Sequence, residues 1–397
     1  MPIDYVDEPP RTADLVVVGG GIVGAATAFH AARTGLATVI VERRPALCTL
    51  TTAAAAGGYR LTLDTEDEVA VVRASADLFT SFAEATGQKE YDPHVREQGY
   101  LWVTTTEEGA AAQRSVAGRQ RTWGVDGVEV LDGDEARRRF PYLSPDVVQA
   151  RFRQADGLID PKAVTFGLIA GSEASVVTSC GVTGFDLRGD AVRGVRTGGG
   201  MIATERVVVA CGPLSGLLAS DAGITLPVET VRRHKLVLPD VPEVPPDAPM
   251  TIDEDTGAHW RPAFAGAWAL FTDPTTPPSP PEEVVTPDPG FAFEVLDPSS
   301  PAALARVSPF WGEVWDRGSD HWLLQAGQYT MTPDRRPLIG ETDVEGLFVN
   351  TGYSGHGVMT SPGAGRILAE VLTGARVPED NPFRPDRAFA SPHRGVL

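Results

Sequence analysis

The sequence has 397 residues, 42% of them hydrophobic, and a formal net charge of −19. A chain of that length buries a large core and is expected to split into two domains, and its hydrophobic content excludes an unfolded chain. The acidic excess excludes nucleic acid and simple attraction to anionic lipid, leaving small molecules or other proteins as the expected partners. Cys48, Cys180 and Cys211 are odd in number and lack metal-ligand spacing, so no metal site or disulfide framework is expected. The acidic N-terminus is no secretory leader, and no apolar run reaches membrane-spanning length, so no membrane association and a cytoplasmic location are expected.

In chain order, the first informative stretch is Leu15-Val-Val-Val18 followed by Gly19, Gly21 and Gly24. An apolar strand handing over to a helix through G-x-G-x-x-G is a dinucleotide cradle: the glycines allow a tight turn, close approach of a pyrophosphate and close helix packing. Ile22, Val23 and the alanine-rich run to Thr34 form the helix, Gly35 caps it, and Thr38–Val41 gives a second strand ending at Glu42. An acid roughly 20 residues beyond the glycines is the expected ribose-hydroxyl acceptor. Glu42 also disfavours a 2′-phosphate, although Arg43 and Arg44 beside it work the other way.

The small residues of Thr49–Arg60 suit close approach to a ligand, and Glu66–Thr86 has the spacing of an amphipathic helix. Gly99–Thr104 has strand character, Asp132–Phe140 and Ala163–Glu173 are expected helices, and Val176–Ala210 reads as a β-meander ending in Cys211-Gly212-Pro213. Val231–Leu238 is a further strand. Thr272–Pro301, rich in Pro, Asp, Glu and Ser, is expected to be a surface loop, with a lid role as the alternative. Thr332-Pro-Asp-Arg-Arg-Pro-Leu-Ile-Gly340 and Gly352-Tyr-Ser-Gly-His-Gly357 precede a final helix, Gly363–Thr373.

Taken together, the cradle, Ala56-Gly-Gly-Tyr-Arg60, the strand closing on Cys211-Gly-Pro, and these two late motifs resemble the D-amino-acid-oxidase-like family of FAD-dependent amine and amino-acid oxidoreductases, in the branch of glycine oxidase and monomeric sarcosine oxidase. The resemblance implies an α/β (α+β) two-domain fold. A Rossmann-like FAD domain of the glutathione-reductase type would comprise residues 14–62, 150–226 and 325–380, and an antiparallel-sheet substrate domain residues 63–149 and 227–324, with tails at 1–13 and 381–397. It further implies that Glu42 and Arg43 lie at the ribose, Val182 at adenine and Gly212 at the pyrophosphate. Thr51, Thr52, Ala56, Gly57 and Gly58 would run beside the flavin, and Gly355, His356, Gly357, Val358 and Met359 would offer backbone N–H groups to its pyrimidine end. His356 has a second reading, as a residue that only braces its own loop.

Three departures from the family pattern stand out. Gly327 and Ala54 occupy positions where relatives bond FAD covalently, so non-covalent FAD is expected. Met359 stands where sarcosine-oxidase-like members carry a carboxylate-binding lysine, leaving Arg60 as the candidate carboxylate grip or flavin-side cation, with a scaffold arginine as its other reading. The 257–272 region has no lysine where oxidases of that subgroup place one for oxygen activation, which makes an acceptor other than O2 an alternative. His259, Trp260 and Arg261 would line the substrate side, with core packing the other reading of Trp260. The implied reaction is oxidation of a C–N bond in an amino acid or related amine, by hydride transfer to flavin N5 to give an imine. The alternatives are an FAD-dependent dehydrogenase or monooxygenase of a biosynthetic pathway, and an FAD-binding subunit of an electron-transfer complex.

Overall fold

The computed structural model describes residues 2–318 and 321–391. A seven-stranded sheet carries the cradle, in the order β1 (Asp4–Tyr5), β7 (Ser175–Val177), β3 (Thr38–Val41), β2 (Leu15–Val18), β8 (Val207–Val209), β15 (Leu347–Thr351) and β14 (Leu338–Glu341). All neighbours are parallel except β14 and β15. Every residue of β2, β3, β8 and β15 is buried, which is why β2 and β8 are continuous apolar runs instead of alternating ones, while β15 carries Asn350 and Thr351 buried at its end. Three antiparallel strands, Val182–Arg188, Ala191–Thr197 and Gly200–Ala203, join the core on one side of this sheet.

Helices α1 (Ile22–Ala32), α3 (Glu66–Thr80) and α4 (Gly357–Leu372) join the core on the other side. A Cβ on Gly365 would come within 2.5 Å of the Ala26 carbonyl oxygen, and one on Gly363 would overlap the Val71 carbonyl. Helix α4 therefore lies in close backbone contact with α1 on one side and α3 on the other. It starts six residues earlier than the sequence suggests and runs through Pro362, whose missing N–H is a helix-breaking signal. Next to the proline, Gly363 N–H donates to Ser75 Oγ of α3 at 2.9 Å, a side-chain bond between the two helices.

The second sheet has eight strands: β13 (Leu323–Met331), β9 (Glu229–Leu238), β12 (Gly266–Phe271), β11 (Ala258–Ala263), β10 (Met250–Asp253), β4 (Tyr100–Thr104), β6 (Gln149–Arg153) and β5 (Glu129–Asp132). It is antiparallel but for one parallel pair, β10 with β4.

Several expectations shift. Only residues 182–203 of the anticipated meander form one, because 175–177 and 207–209 are central parallel strands of the other sheet. Strands β6 and β13 pair within the eight-stranded sheet, although the sequence reading groups most of their residues with the FAD-binding segments. Residues 290–296 of the proline-rich stretch form a helix that buries Phe291, Ala292, Val295 and Leu296, since the prolines cluster before it. The terminal segments are not simple tails: β1 extends the parallel sheet, and Phe383 is 1% exposed, its carbonyl accepting from Ile339 N–H at 2.8 Å. Residues 392–397 lie outside the described residues. Among the described residues no helix is long and apolar enough to cross a membrane. If the 381–391 segment closes the core, Phe383→Ala should cost about 3–5 kcal/mol in urea unfolding; a loss under about 1 kcal/mol would show that the segment is dispensable.

Candidate active site

The two sheets face each other across a cavity of about 1140 Å³ that runs from the glycine cradle to the eight-stranded sheet. At the cradle, Gly19 has φ +117°, and a Cβ there would sit 2.6 Å from the Ala210 carbonyl oxygen; a Cβ on Gly24 would overlap the Gly19 carbonyl. These two glycines are required by the fold itself. Gly21 differs, because its Cβ would meet only the Thr52 hydroxyl, at 3.3 Å, and otherwise project into open space. With Ile22 and Val23 it lines the cavity at the start of α1, where the positive end of the helix dipole favours phosphate.

One Glu42 carboxylate oxygen accepts from Gly20 N–H at 2.7 Å and the other from Arg44 N–H at 2.8 Å. Each keeps lone-pair capacity for a ribose hydroxyl. Val182 and Gly212 line the same end. Arg43 pairs with Glu283 at 2.7 Å, and the Arg44 guanidinium donates to the Glu283 carbonyl at 2.6 Å.

Glu283 belongs to the proline-rich stretch, which has a defined course. Ser279 N–H donates to the Thr230 carbonyl at 2.8 Å, the Gln328 side chain accepts from Glu282 N–H at 2.8 Å and donates to the Pro280 carbonyl at 2.7 Å, and Arg232 pairs with Glu282 at 2.6 Å. Pro274, Thr276, Pro278 and Glu283 line the cavity. This part of the stretch is a strap from β9 and β13 to Arg43 and Arg44.

Midway along the cavity lie the short helix α2 (Thr51–Ala54) and the residues after it, Ala56, Gly57 and Gly58. Thr52 accepts from Ile22 N–H at 3.2 Å, and Thr51 donates to the Gln328 carbonyl at 3.1 Å. Gly327 and Ala54 face each other, with a Cβ on Gly327 falling 3.1 Å from that of Ala54. Opposite, Gly355, His356, Gly357, Val358 and Met359 form the start of α4. A Cβ-free cradle, a paired carboxylate beyond it and a second helix start aimed at the same cavity fit an elongated dinucleotide cofactor such as FAD.

The far end is walled by Tyr100, Met250, His259, Leu270, Arg233 and Tyr329. Arg60 enters from the other side and is 3% exposed, with its guanidinium carbon 5.2 Å from the Trp102 ring centroid and 5.9 Å from that of Tyr100. His259 Nδ1 lies 2.9 Å from the Gly257 carbonyl, which can only accept, so Nδ1 carries the proton and Nε2 is an acceptor. Burial pushes the His259 pKa down to about 4, so it is neutral at pH 7. Met359 lines the cavity as an apolar residue, 7% exposed.

Trp260 corrects the expectation of a substrate-side aromatic. Strand alternation sends it to the opposite face from His259 and Arg261, where it is fully buried against Tyr142, Phe310 and Trp311, and its Nε1–H donates to Ser308 Oγ at 3.1 Å. Arg261 lies on the same face as His259 but packs 4.1 Å from the Trp268 ring centroid.

A family model described as FAD dependent oxidoreductase matches residues 14–371. The chain belongs to that family. This oxidoreductase is 27% identical to FAD-dependent oxidoreductase domain-containing protein 1 of Xenopus laevis, over 92% of its own length and 80% of the relative's. It is 26% identical to glycine oxidase of Pseudomonas putida, over 94% and 98% of the two chains. Among solved structures, L-proline dehydrogenase from P. horikoshii is 25% identical with a TM-score of 0.81, covering 95% of this chain and 98% of that one. Some relatives are longer: the chain spans 44% of 4-methylaminobutanoate oxidase of Paenarthrobacter nicotinovorans, at 28% identity over 93% of its own length. The family is one of FAD-dependent oxidoreductases, and the relatives named glycine oxidase and 4-methylaminobutanoate oxidase act on an amino acid and a related amine.

Sequence reasoning missed Lys235, one of three lysines in the chain. It comes from β9, outside the 257–272 region, and pairs across the sheet with Leu270. Its Nζ donates to the Ala55 carbonyl at 3.2 Å and lies 4.0 Å from the Trp268 ring centroid. Alternation along Val231-Arg-Arg-His-Lys235 was the available signal, since it puts Val231, Arg233 and Lys235 on one face. Burial, helped by the Arg261 and Lys162 charges, pushes Lys235 down from 10.5 to about 8.

Two outcomes follow from this geometry. Gly21→Val should fold normally yet weaken FAD binding at least about 100-fold in flavin-fluorescence titrations, because the side chain enters only the cofactor path; unaltered affinity would place the phosphates elsewhere. Below pH 8 Lys235 is protonated folded or unfolded, and folding bears the full cost of a buried ammonium; between pH 8 and 10.5 the folded side chain loses its proton first, so that cost falls as pH rises. Lys235→Met should therefore stabilise the protein by about 3 kcal/mol at pH 7 and progressively less towards pH 10.5 in urea unfolding, and a pH-independent difference would refute the buried charge.

Proposed function

We propose that the cavity binds an amine carrying an anionic group, an amino acid or N-substituted amino acid, and that Arg60 grips that group. The observation that carries this reading is the Arg60 guanidinium itself, buried at the cavity end beside Tyr100 and close to the start of α4. A guanidinium can hold a carboxylate through two parallel hydrogen bonds, which fixes the substrate's orientation as well as its position. His259 Nε2 supplies an acceptor for an amine N–H, and Met250 and Leu270 provide apolar wall that excludes water. Bound FAD supplies the two-electron oxidising power that turns C–N into C=N, after which water releases the carbonyl product. Gly327 and Ala54 offer no side-chain nucleophile, which supports non-covalent FAD. Three free cysteines fit a cytoplasmic location.

The test is anaerobic mixing of the FAD-loaded enzyme with glycine, sarcosine, L-proline and D-alanine, followed by flavin absorbance. Bleaching by at least one is expected, and bleaching by none would sink the reading. Repeating the experiment in air separates O2 from another electron acceptor by the rate at which colour returns. With an active substrate, Arg60→Ala should raise KM about 10- to 100-fold, the range of a charged hydrogen bond, with a smaller change in kcat. An unchanged KM would remove Arg60 from the binding role.

A further inference from the structure

Glu68 was not among the candidate residues, yet it stands behind two that were. It is the fourth residue of Thr65-Glu-Asp-Glu68, a capping box at the start of α3: Glu68 N–H donates to Thr65 Oγ at 3.3 Å, and Thr65 Oγ–H donates to Glu68 Oε2 at 2.7 Å. The other oxygen, Oε1, lies 3.5 Å from His356 Nδ1, and His356 Nε2 lies 3.4 Å from Arg60 Nη2. A guanidinium has donors only, so the Nε2 facing it must accept. That places the imidazole proton on Nδ1, directed at a carboxylate that can only accept. Every hydrogen in the series points the same way, from Arg60 to His356 to Glu68. The starts of α3 and α4 are thereby joined through Glu68 and His356 to Arg60, which faces the substrate end.

We propose that Glu68 is a positioning residue: by fixing the orientation of His356 it holds the Arg60 guanidinium in its anion-binding pose. This rests on the reading of Arg60 given above. The plain alternative is that Glu68 only caps α3, and Thr65→Ala tests that separately, because it removes the cap on the Glu68 N–H while the carboxylate, though it loses the Thr65 hydroxyl on Oε2, keeps Oε1 for His356.

The experiment titrates the FAD-loaded enzyme with propionate and benzoate, following flavin absorbance, with acetamide as the uncharged control. Glu68→Ala should weaken carboxylate binding about 10-fold, and Glu68→Gln, whose amide oxygen still accepts from Nδ1–H, should stay within about threefold of wild type. Thr65→Ala should lower Tm about as much as Glu68→Ala does and keep carboxylate affinity within about threefold of wild type, since Oε1 still faces His356. In an Arg60→Ala background, Glu68→Ala should add nothing, because the effect runs through Arg60. Equal losses from Glu68→Ala and Thr65→Ala, or a Glu68→Ala loss that persists without Arg60, would overturn the positioning role and leave the Arg60 reading intact. If neither carboxylate binds the wild type, or Arg60→Ala binds both as well as wild type does, the Arg60 reading fails and this inference with it.

Discussion

The site depends on how tightly helix α4 is wedged between α1 and α3. Gly365 against the Ala26 backbone and Gly363 against the Val71 backbone bring three helices closer than side chains would permit. Protein interiors at this density transmit position well, because nothing between the backbones can yield. The start of α4, with Gly355 to Met359, is thus fixed relative to the cradle helix on one flank and to Glu68 on the other. A methyl group at either glycine would push the whole helix start away from the cavity.

The cradle pair of the seven-stranded sheet, β2 and β3, was legible because its signals are local. Residues 175–177 and 207–209 read as strands in the sequence but fall there into a meander, since a pairing partner is not a local signal. Buried parallel strands are written as apolar runs, and the cradle glycines follow from steric demands within a few residues. The substrate wall was harder to read, because it is assembled across strands far apart in the chain. Trp260 and Lys235 show why: both were decided by alternation, and alternation has meaning only once the strand and its inward face are known. Glu68 was hidden for a different reason. Thr65-Glu-Asp-Glu68 fully explains itself as a helix cap, so nothing local hints at a second partner 288 positions away at His356.

Charge is distributed against the overall balance. A chain with a net charge of −19 gathers Arg233, Lys235 and Arg261 on one face of the eight-stranded sheet, and burial lowers the proton affinity of all three. Such an arrangement costs stability and is retained where an electron-rich ligand offsets it. The acidic exterior and the cationic inner face thus divide two tasks, keeping the protein dispersed and drawing negative charge inward.

The strand order of the parallel sheet also sets when the enzyme becomes competent during synthesis. The cradle strand β2 leaves the ribosome early, but β8, its neighbour, follows some two hundred residues later and β15 with the start of α4 later still. Domains assemble as units on the ribosome only when their strands are all available. No half-built chain therefore presents a complete flavin site, and the strap that ends at Arg43 and Arg44 has already been made when the last strand arrives. The complete flavin site is therefore a property of nearly the whole chain, from β2 to the start of α4, and a truncation that removes β15 removes the site with it.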